Sequence, residues 1–354
     1  MGNVMTEEGR ERLGLVRDSA ASIIPRETGA ERARLLRFHP PGFDTDLWKE
    51  MCGLGWAGLR VSEAYGGAGL DTTALCAIAQ QLGASLSPEP FISSTAVAQV
   101  LSGDWLDAVL TGKRIVVPAW MERPHDLSFG QTCVDSGRVN GTKRQVLHAE
   151  VADAFVVATP EGLALVKRDA PGVSITPTTL HDGSFAGDVQ FNNAPGLSLQ
   201  GHFDTLLEEC ALANAAYLLG TMETLFDTTL AYLAMRKQFG KPIGSFQALQ
   251  HRAVDLKIQM ELTRAVVNEA AAALDGKLGA QQDRHALVSR AKVRAGNTGM
   301  LVSREAIQFH GAMGITDECD IGLYARKILS IHNDWGSVLA HRQRFTTIEQ
   351  VRHD

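Results

Sequence analysis

The sequence predicts an α+β protein of three parts: an N-terminal helical domain, a middle β-barrel or sandwich domain, and a C-terminal four-helix bundle. Three observations carry that prediction. Apolar residues recur at helical spacing from Thr6 to about Ser87. Between Gly112 and about Leu199 the pattern changes to short β-rich runs separated by turn residues. From Phe203 onward it is helical again, opening with an Ala/Leu-rich, charge-poor stretch from Leu206 to Ala234 of the kind buried in a bundle. The expected boundaries are 1–111, 112–200 and 201–354.

A chain of 354 residues has room for several lobes with their own cores. With 45% hydrophobic and 21% charged residues it has the composition of a soluble globular protein. A formal net charge of −6 and the lack of a basic tract argue against a nucleic-acid partner. The five cysteines (Cys52, Cys76, Cys133, Cys210, Cys319) never fall in CxxC spacing, which predicts free thiols and no metal site. No apolar signal core and no membrane span is expected, so the expected location is the cytoplasm.

In the first part, Leu13, Val16, Ala20 and Ile23 share a helix face and Pro25 ends the run; Phe43 to Leu54 and Asp71 to Leu82 continue it. Gly66-Gly67-Ala68-Gly69 follows a helix rather than a strand, so it is expected to be a tight helix–helix connection and not a dinucleotide loop. Ser85 to Ser93 is expected to be a proline-broken connection. In the second part, Arg114 to Trp120 predicts a strand. Val134 to Thr142 predicts a hairpin with Ser136-Gly137 and Asn140-Gly141 as turn pairs. Ala154 to Ala158 and Ala164 to Val166 flank a turn at Pro160 to Gly162, and Val173 to Ile175 and Gly187 to Phe191 complete the lobe. In the third part, helices are expected over Phe246 to Leu274, Asp283 to His310 and Asp320 to about Val351.

The chain is organised around Ala234 to Gln250, AMRKQFGKPIGSFQALQ. A basic, polar cluster leads into Phe239-Gly240; Pro242 interrupts the helical pattern, and Ser245 is expected to cap a new helix. Such a corner carries a fixed guanidinium, aromatics and amides, groups that suit a phosphate- and ring-bearing ligand. A solvated helix corner is the plainer alternative.

Arg236, Gln238, Phe239, Gly240, Pro242, Ile243, Phe246 and Gln247 stand in the spacing R-x-Q-F-G-x-P-I-x-x-F-Q. That stretch resembles a signature of the acyl-CoA dehydrogenase family, whose members bind FAD. The stretch from Leu54-Gly55-Trp56 to Glu63-Ala64-Tyr65-Gly66-Gly67-Ala68-Gly69 is similar to the family's N-terminal lobe. Gln308 to Gly314 resembles its Q-x-x-G-G-x-G turn, with Ala312 in place of one glycine. The resemblance implies that Arg236 and Gln247 reach the FAD of a neighbouring subunit, flanked by Gln238, Phe239 and Phe246. It also implies that Gln308, Gly311 and Gly314 form a backbone cradle, that Ser337 offers a hydroxyl to the flavin, and that Arg326 is a helix-packing salt-bridge partner. A plain helix C-cap is the other reading of Gly311 and Gly314.

The resemblance further implies removal of a Cα proton from an acyl-CoA thioester and of a Cβ hydride to flavin. A carboxylate base is needed. The three places where the family carries it fall on Trp335, Cys210 and Tyr217, none of which is a carboxylate. Asp334, Glu208 and Glu209 are neighbours, but one residue on a helix turns a side chain by about 100°. Met121 stands where a hydroxyl is expected near the flavin, and Gln145-Val146-Leu147 replaces the family's W-I-T. Three readings follow. The first is a subunit that works with a related acyl-CoA dehydrogenase chain, in an α₂β₂ assembly, on a steroid or bile-acid side chain. The second is a self-sufficient homo-oligomer with Asp334 as base, and the third is a flavin-free structural subunit. For the first two, an electron-transfer acceptor is the remaining partner.

Overall fold

The computed structural model describes residues 7–124, 126–128, 130–278 and 281–353. The first part holds α1 (Glu7–Ile23), α2 (Gly29–Leu36), α3 (Thr45–Gly53), α4 (Thr72–Ala84), α5 (Phe91–Ala98) and α6 (Gly103–Leu110). Asp44 and Asp71 start α3 and α4 by accepting N–H groups of their first turns, Asp46 and Leu47 for one, Ala74 for the other. The glycine-rich stretch lies in the connection of α3 to α4, as expected, where Gly66 ends a single helical turn (Glu63–Tyr65) at φ 82°. The Ser85 to Ser93 connection is shorter than expected, because α5 starts at Phe91, directly after Pro90.

The middle part is two four-stranded sheets. Its strands are β1 (Val116–Ala119), β2 (Cys133–Asp135), β3 (Arg138–Leu147), β4 (Ala154–Thr159), β5 (Gly162–Lys167), β6 (Val173–Thr179), β7 (Phe185–Pro195) and β8 (Leu197–Leu199). One sheet runs β1-β4-β5-β8 and the other β2-β3-β7-β6. Val117, Phe155, Val157 and Val166 from the first face Val139, Val189 and Phe191 from the second, which makes a sandwich core. The alternate residues Val116, Val156, Ala158 and Leu165 point the other way, into the helical core. Ser136-Gly137 is the expected hairpin turn, both residues at positive φ. Asn140-Gly141 is not a turn. The register shifts there inside β3, and a Cβ on Gly141 would lie 2.5 Å from the Thr132 hydroxyl, so glycine serves a bulge packed against a neighbouring chain segment.

The third part contains α7 (Phe203–Met235), α8 (Gln247–Leu274), α9 (Gln281–His310), α10 (Asp320–Ile331) and α11 (Val338–His353). The helix expected over Asp320 to Val351 is two, α10 and α11. The break is at His332 to Ser337, where Trp335 and Gly336 take positive φ (60° and 98°). Ser337 then caps α11 by accepting the Ala340 N–H at 3.1 Å. Helix α4 of the first part lies directly on α7 of the third. The Thr221 and Thr224 hydroxyls donate to the Gly83 and Ala84 carbonyls across that crossing. No described helix is long and apolar enough to cross a membrane.

Candidate active site

A cleft opens where the three parts meet. Its walls come from Ser93 of α5, from Trp120 and Met121 after β1, from Gln145 to Leu147 at the end of β3, and from Asn333 to Trp335 between α10 and α11. It encloses ≈ 60 Å³, and an inner cavity of ≈ 80 Å³ shares Ser93, Leu147, Asp334 and Trp335 with it. Both are small beside the roughly 300–1,000 Å³ of pockets that hold cofactor-sized ligands.

The turn carrying Asp334 and Trp335 is built rather than merely connected. The buried ammonium of Lys292 donates to the His332 carbonyl at 2.7 Å. His341 Nε2 donates to the Trp335 carbonyl at 2.8 Å, which leaves Nδ1 to accept from the Ser289 hydroxyl at 3.2 Å. A Cβ on Gly336 would stand 2.4 Å from Leu127, so only glycine fits beside Trp335. Neither clamp residue was singled out from the sequence. The signal was there: Val288, Ala291 and Ala295 mark an apolar face of α9, and Lys292 falls on it.

Burial holds His341 neutral and pushes its pKa down to about 3, outweighing the Trp335 carbonyl, which favours the charged form. An unfolded histidine near 6.5 binds a proton that the folded one refuses. The contribution is therefore complete above pH 6.5 and is lost as pH falls through the folded value. In urea titrations between pH 6.5 and pH 4, the native protein should lose about 1.4 kcal/mol per pH unit more than His341→Gln. Parallel pH slopes for the two proteins would contradict the assignment.

Each expected base position is filled by an apolar or neutral group. Trp335 is 6% exposed and stacks on Trp120 (centroids 6.2 Å apart, planes at 13°); Trp120 stacks in turn on Phe203 at 5.6 Å. Cys210 is fully packed and burial raises its thiol pKa well above the usual range, so it is no nucleophile. The Tyr217 hydroxyl donates to the Ser87 carbonyl at 3.0 Å. Of the neighbouring acids, Glu208 binds His285 and Arg344, and Glu209 binds Arg60 at 2.9 Å and Gln99 at 2.7 Å; both hold helices together. Asp334 differs. Its carboxylate lines both cavities and makes no hydrogen bond among the described residues. Burial raises its pKa, while Lys292 and Lys327 pull it back. Met121 and Leu147 line the cleft and bring it no hydroxyl.

The second cluster lies at the far end of the bundle. Lys237–Gln238 (β9) and Lys241–Pro242 (β10) form a miniature hairpin with Phe239 and Gly240 at its tip, both at positive φ. Ser245 does not cap α8; its hydroxyl donates to the Pro242 carbonyl at 2.7 Å, and Phe246 occupies the cap position. Phe246 meets Phe239 edge-on at 6.1 Å and lies under the Lys241 ammonium. Phe239 is 91% exposed, and Arg236 and Gln247 are exposed with no side-chain partner among the described residues. Gln238 turns back to its neighbour's carbonyl. Tyr232 stacked on His310, and Arg252 set over Phe309, bring this hairpin beside the Gln308 to Gly314 turn. There Gln308 and Gly311 are exposed. Gly311 ends α9 at φ 63°, and Gly314 packs against Ile307. Arg326 pairs with Asp317 at 2.8 Å, the salt bridge expected of it. Gln308 and Lys292, sixteen residues apart on α9, are separated by roughly 24 Å along its axis.

A helical lobe, a β-sandwich and a helical bundle joined at one cleft form the architecture of the acyl-thioester oxidoreductases. The acyl-CoA dehydrogenase N-terminal domain matches residues 10–103 and the C-terminal domain residues 203–332. Acyl-CoA dehydrogenase IpdE2 of Mycolicibacterium smegmatis is 30% identical over 319 residues, covering 90% of this chain and 92% of that protein. Its namesake in Mycobacterium tuberculosis is 29% identical, over 90% and 91%. The chain belongs to the acyl-CoA dehydrogenase family, a family of oxidoreductases. Among solved structures, the Tcur3481-Tcur3483 steroid ACAD G363A variant superposes with a TM-score of 0.87 at 28% identity, over 97% of this chain and 99% of that one.

Proposed function

We propose that this chain is one subunit of an FAD-dependent acyl-CoA dehydrogenase whose catalytic base lies in a related partner chain, in an α₂β₂ assembly. The carrying observation is a contrast. The cleft's base position is closed by the Phe203–Trp120–Trp335 stack, while Arg236 and Gln247 stand exposed and unpaired at the other end of the bundle. FAD, when bound, accepts the Cβ hydride of the acyl thioester. Arg236 offers a guanidinium to its pyrophosphate and Gln247 an amide to the adenine side, across a subunit boundary. Gln308 and Gly311 stand exposed beside them, with Gly314 buried beneath. The unpaired side chains of the corner fit such a ligand; the cleft, without a hydroxyl at Met121 or Leu147, does not.

A steroid or bile-acid side chain is the proposed acyl group. The solved relative named as a steroid ACAD supports it; the ChsE4-ChsE5 complex from Mycobacterium tuberculosis, with a TM-score of 0.82 at 24% identity over 99% of both chains, shares the fold. A second reading rests on Asp334, the one carboxylate in the cleft with no hydrogen bond: a self-sufficient enzyme with its own base.

Visible spectra separate the readings. The protein purified alone should be colourless, and the complex coexpressed with a related acyl-CoA dehydrogenase chain should carry flavin. Flavin and activity in the lone chain would transfer the base to Asp334; no flavin in either preparation would leave a structural subunit. Arg236→Ala should lower flavin retention in the complex about 30-fold or more, the ~2 kcal/mol or greater cost of deleting one partner of a buried interfacial charge pair. Unchanged retention would remove Arg236 from the site.

A further inference from the structure

The turn from His332 to Ser337 is a partition. Asp334 and Trp335 belong to the walls of both the outer cleft and the inner cavity, so the turn divides one from the other. Its backbone is bent at the division: Trp335 stands at φ 60°, a costly conformation for a large side chain, and Gly336 beside it at φ 98°. Two groups from other helices hold it there. His341 donates to the Trp335 carbonyl and is neutral down to about pH 3. Lys292 donates to the His332 carbonyl at 2.7 Å, and its hold depends on its charge.

The Lys292 side chain is fully buried, and that carbonyl is its one hydrogen-bond acceptor among the described residues. A buried ammonium is normally matched by a carboxylate in contact. The charge that acts on Lys292 is Asp334, on the same turn, and it acts through space rather than through a hydrogen bond. Burial pushes the Lys292 pKa down to about 7, and Asp334 pulls it back up. The other charges that act on the pair are few. Lys327 of α10 and Asp182 of the β6–β7 connection bear on Asp334 and are themselves paired at 2.9 Å. From α11 there is the neutral His341; α7 and α8 bring none. On the turn itself, His332 donates from Nδ1 to the Leu329 carbonyl at 2.7 Å.

We propose that Lys292 is a proton-operated latch on this partition: as the ammonium it pins the turn and keeps Trp335 between the two cavities, and as the neutral amine it frees the turn so that the cavities join. A charge-assisted hydrogen bond is roughly twice as strong as a neutral one, so the grip on the His332 carbonyl weakens when the proton leaves for solvent. The pull on Asp334 disappears in the same step. The latch works whichever chain carries the dehydrogenation base.

Fluorine NMR of the full chain labelled with 5-fluorotryptophan tests it, with the Trp335 signal identified by its loss in Trp335→Phe. Between pH 5 and 9 that signal should move with a midpoint near 7, while those of Trp48, Trp56 and Trp105 stay in place. Its shift between H2O and D2O, which reports water at the ring, should grow in the alkaline form. Asp334→Asn keeps size and shape and should lower the midpoint by about one pH unit, because the amine loses the charge that favours its proton. Adding Lys292→Met to Asp334→Asn should abolish the movement. A Trp335 signal that does not titrate overturns the proposal, and so does a titration without a larger solvent shift. Abolition by Asp334→Asn alone would assign the proton to the carboxylate, and movement that persists in the double variant would assign it to His332; each overturns the latch. Should the double variant not fold, the direction of the Asp334→Asn shift decides.

Discussion

Glu122→Gln should lower the unfolding free energy by about 3–5 kcal/mol, read as a shift in the urea midpoint. Glu122 follows β1, where its carboxylate accepts the N–H groups of Gly130, Gln131 and Thr132 at 2.7–2.8 Å and the ammonium of Lys143 at 2.8 Å. Lys143 is fully buried in β3 and also donates to the Trp120 carbonyl at 3.1 Å. Those donors hold the Glu122 pKa down to about 2 against the opposing effect of burial. For Lys143 burial outweighs the carboxylate and lowers its pKa. The amide of glutamine keeps the size and removes the counter-charge that faces the buried Lys143 ammonium. Because the folded Glu122 pKa lies below its usual 4.5, its stabilisation is complete above that pH and is lost as pH falls through about 2. The double variant Glu122→Gln, Lys143→Met should recover most of the loss. If the single variant melts like the native protein, the pair is not the tether of the segment beside Trp120.

Gly83→Ala and Gly220→Ala should each destabilise by about 2 kcal/mol or more, although alanine is the better helix former by roughly 0.5–1 kcal/mol. A Cβ on Gly83 would lie 1.9 Å from the Tyr217 carbonyl oxygen, and one on Gly220 1.8 Å from that of Gln80. Both obstacles are backbone of the opposing helix, which cannot turn aside as a side chain can. Gly14→Ala, with nothing within 4 Å of its Cβ, is the matched control and should be neutral or slightly stabilising. Thermal melts of the three variants suffice. A tolerated Gly220→Ala would mean that α4 and α7 part more easily than their threonine hydrogen bonds imply.

The order of helices, strands and helices was legible because each part has its own period, and the corner was legible because its residues sit within one short stretch. What could not be read was long-range. Glu122 and Lys143 look like two ordinary charges until β3 folds back over the exit from β1. The break at His332 to Ser337 was overlooked although Asn333-Asp334 and Gly336-Ser337 have turn chemistry; what could not be read is that a tryptophan at positive φ is set there by Lys292 and His341 from other helices. Asn140-Gly141 read as a turn because the pair has turn chemistry, and it is a bulge because Thr132 crowds the glycine. For the cleft, the family resemblance named the vacant base positions. It could not foresee that Trp335 would stack on Trp120 and Phe203.

The sheet β1-β4-β5-β8 bears hydrophobic residues on both faces, one feeding the sandwich and the other the helices. It is therefore a shared wall rather than the boundary of a module. Residues 112–200 expressed alone would present Val116, Val156 and Leu165 to water as a flat, sticky surface, the profile of an insoluble fragment. In hydrogen exchange, the amides of β4 should open only when the whole molecule does, at the slowest rate in the chain. Loosening one face of that wall loosens both cores.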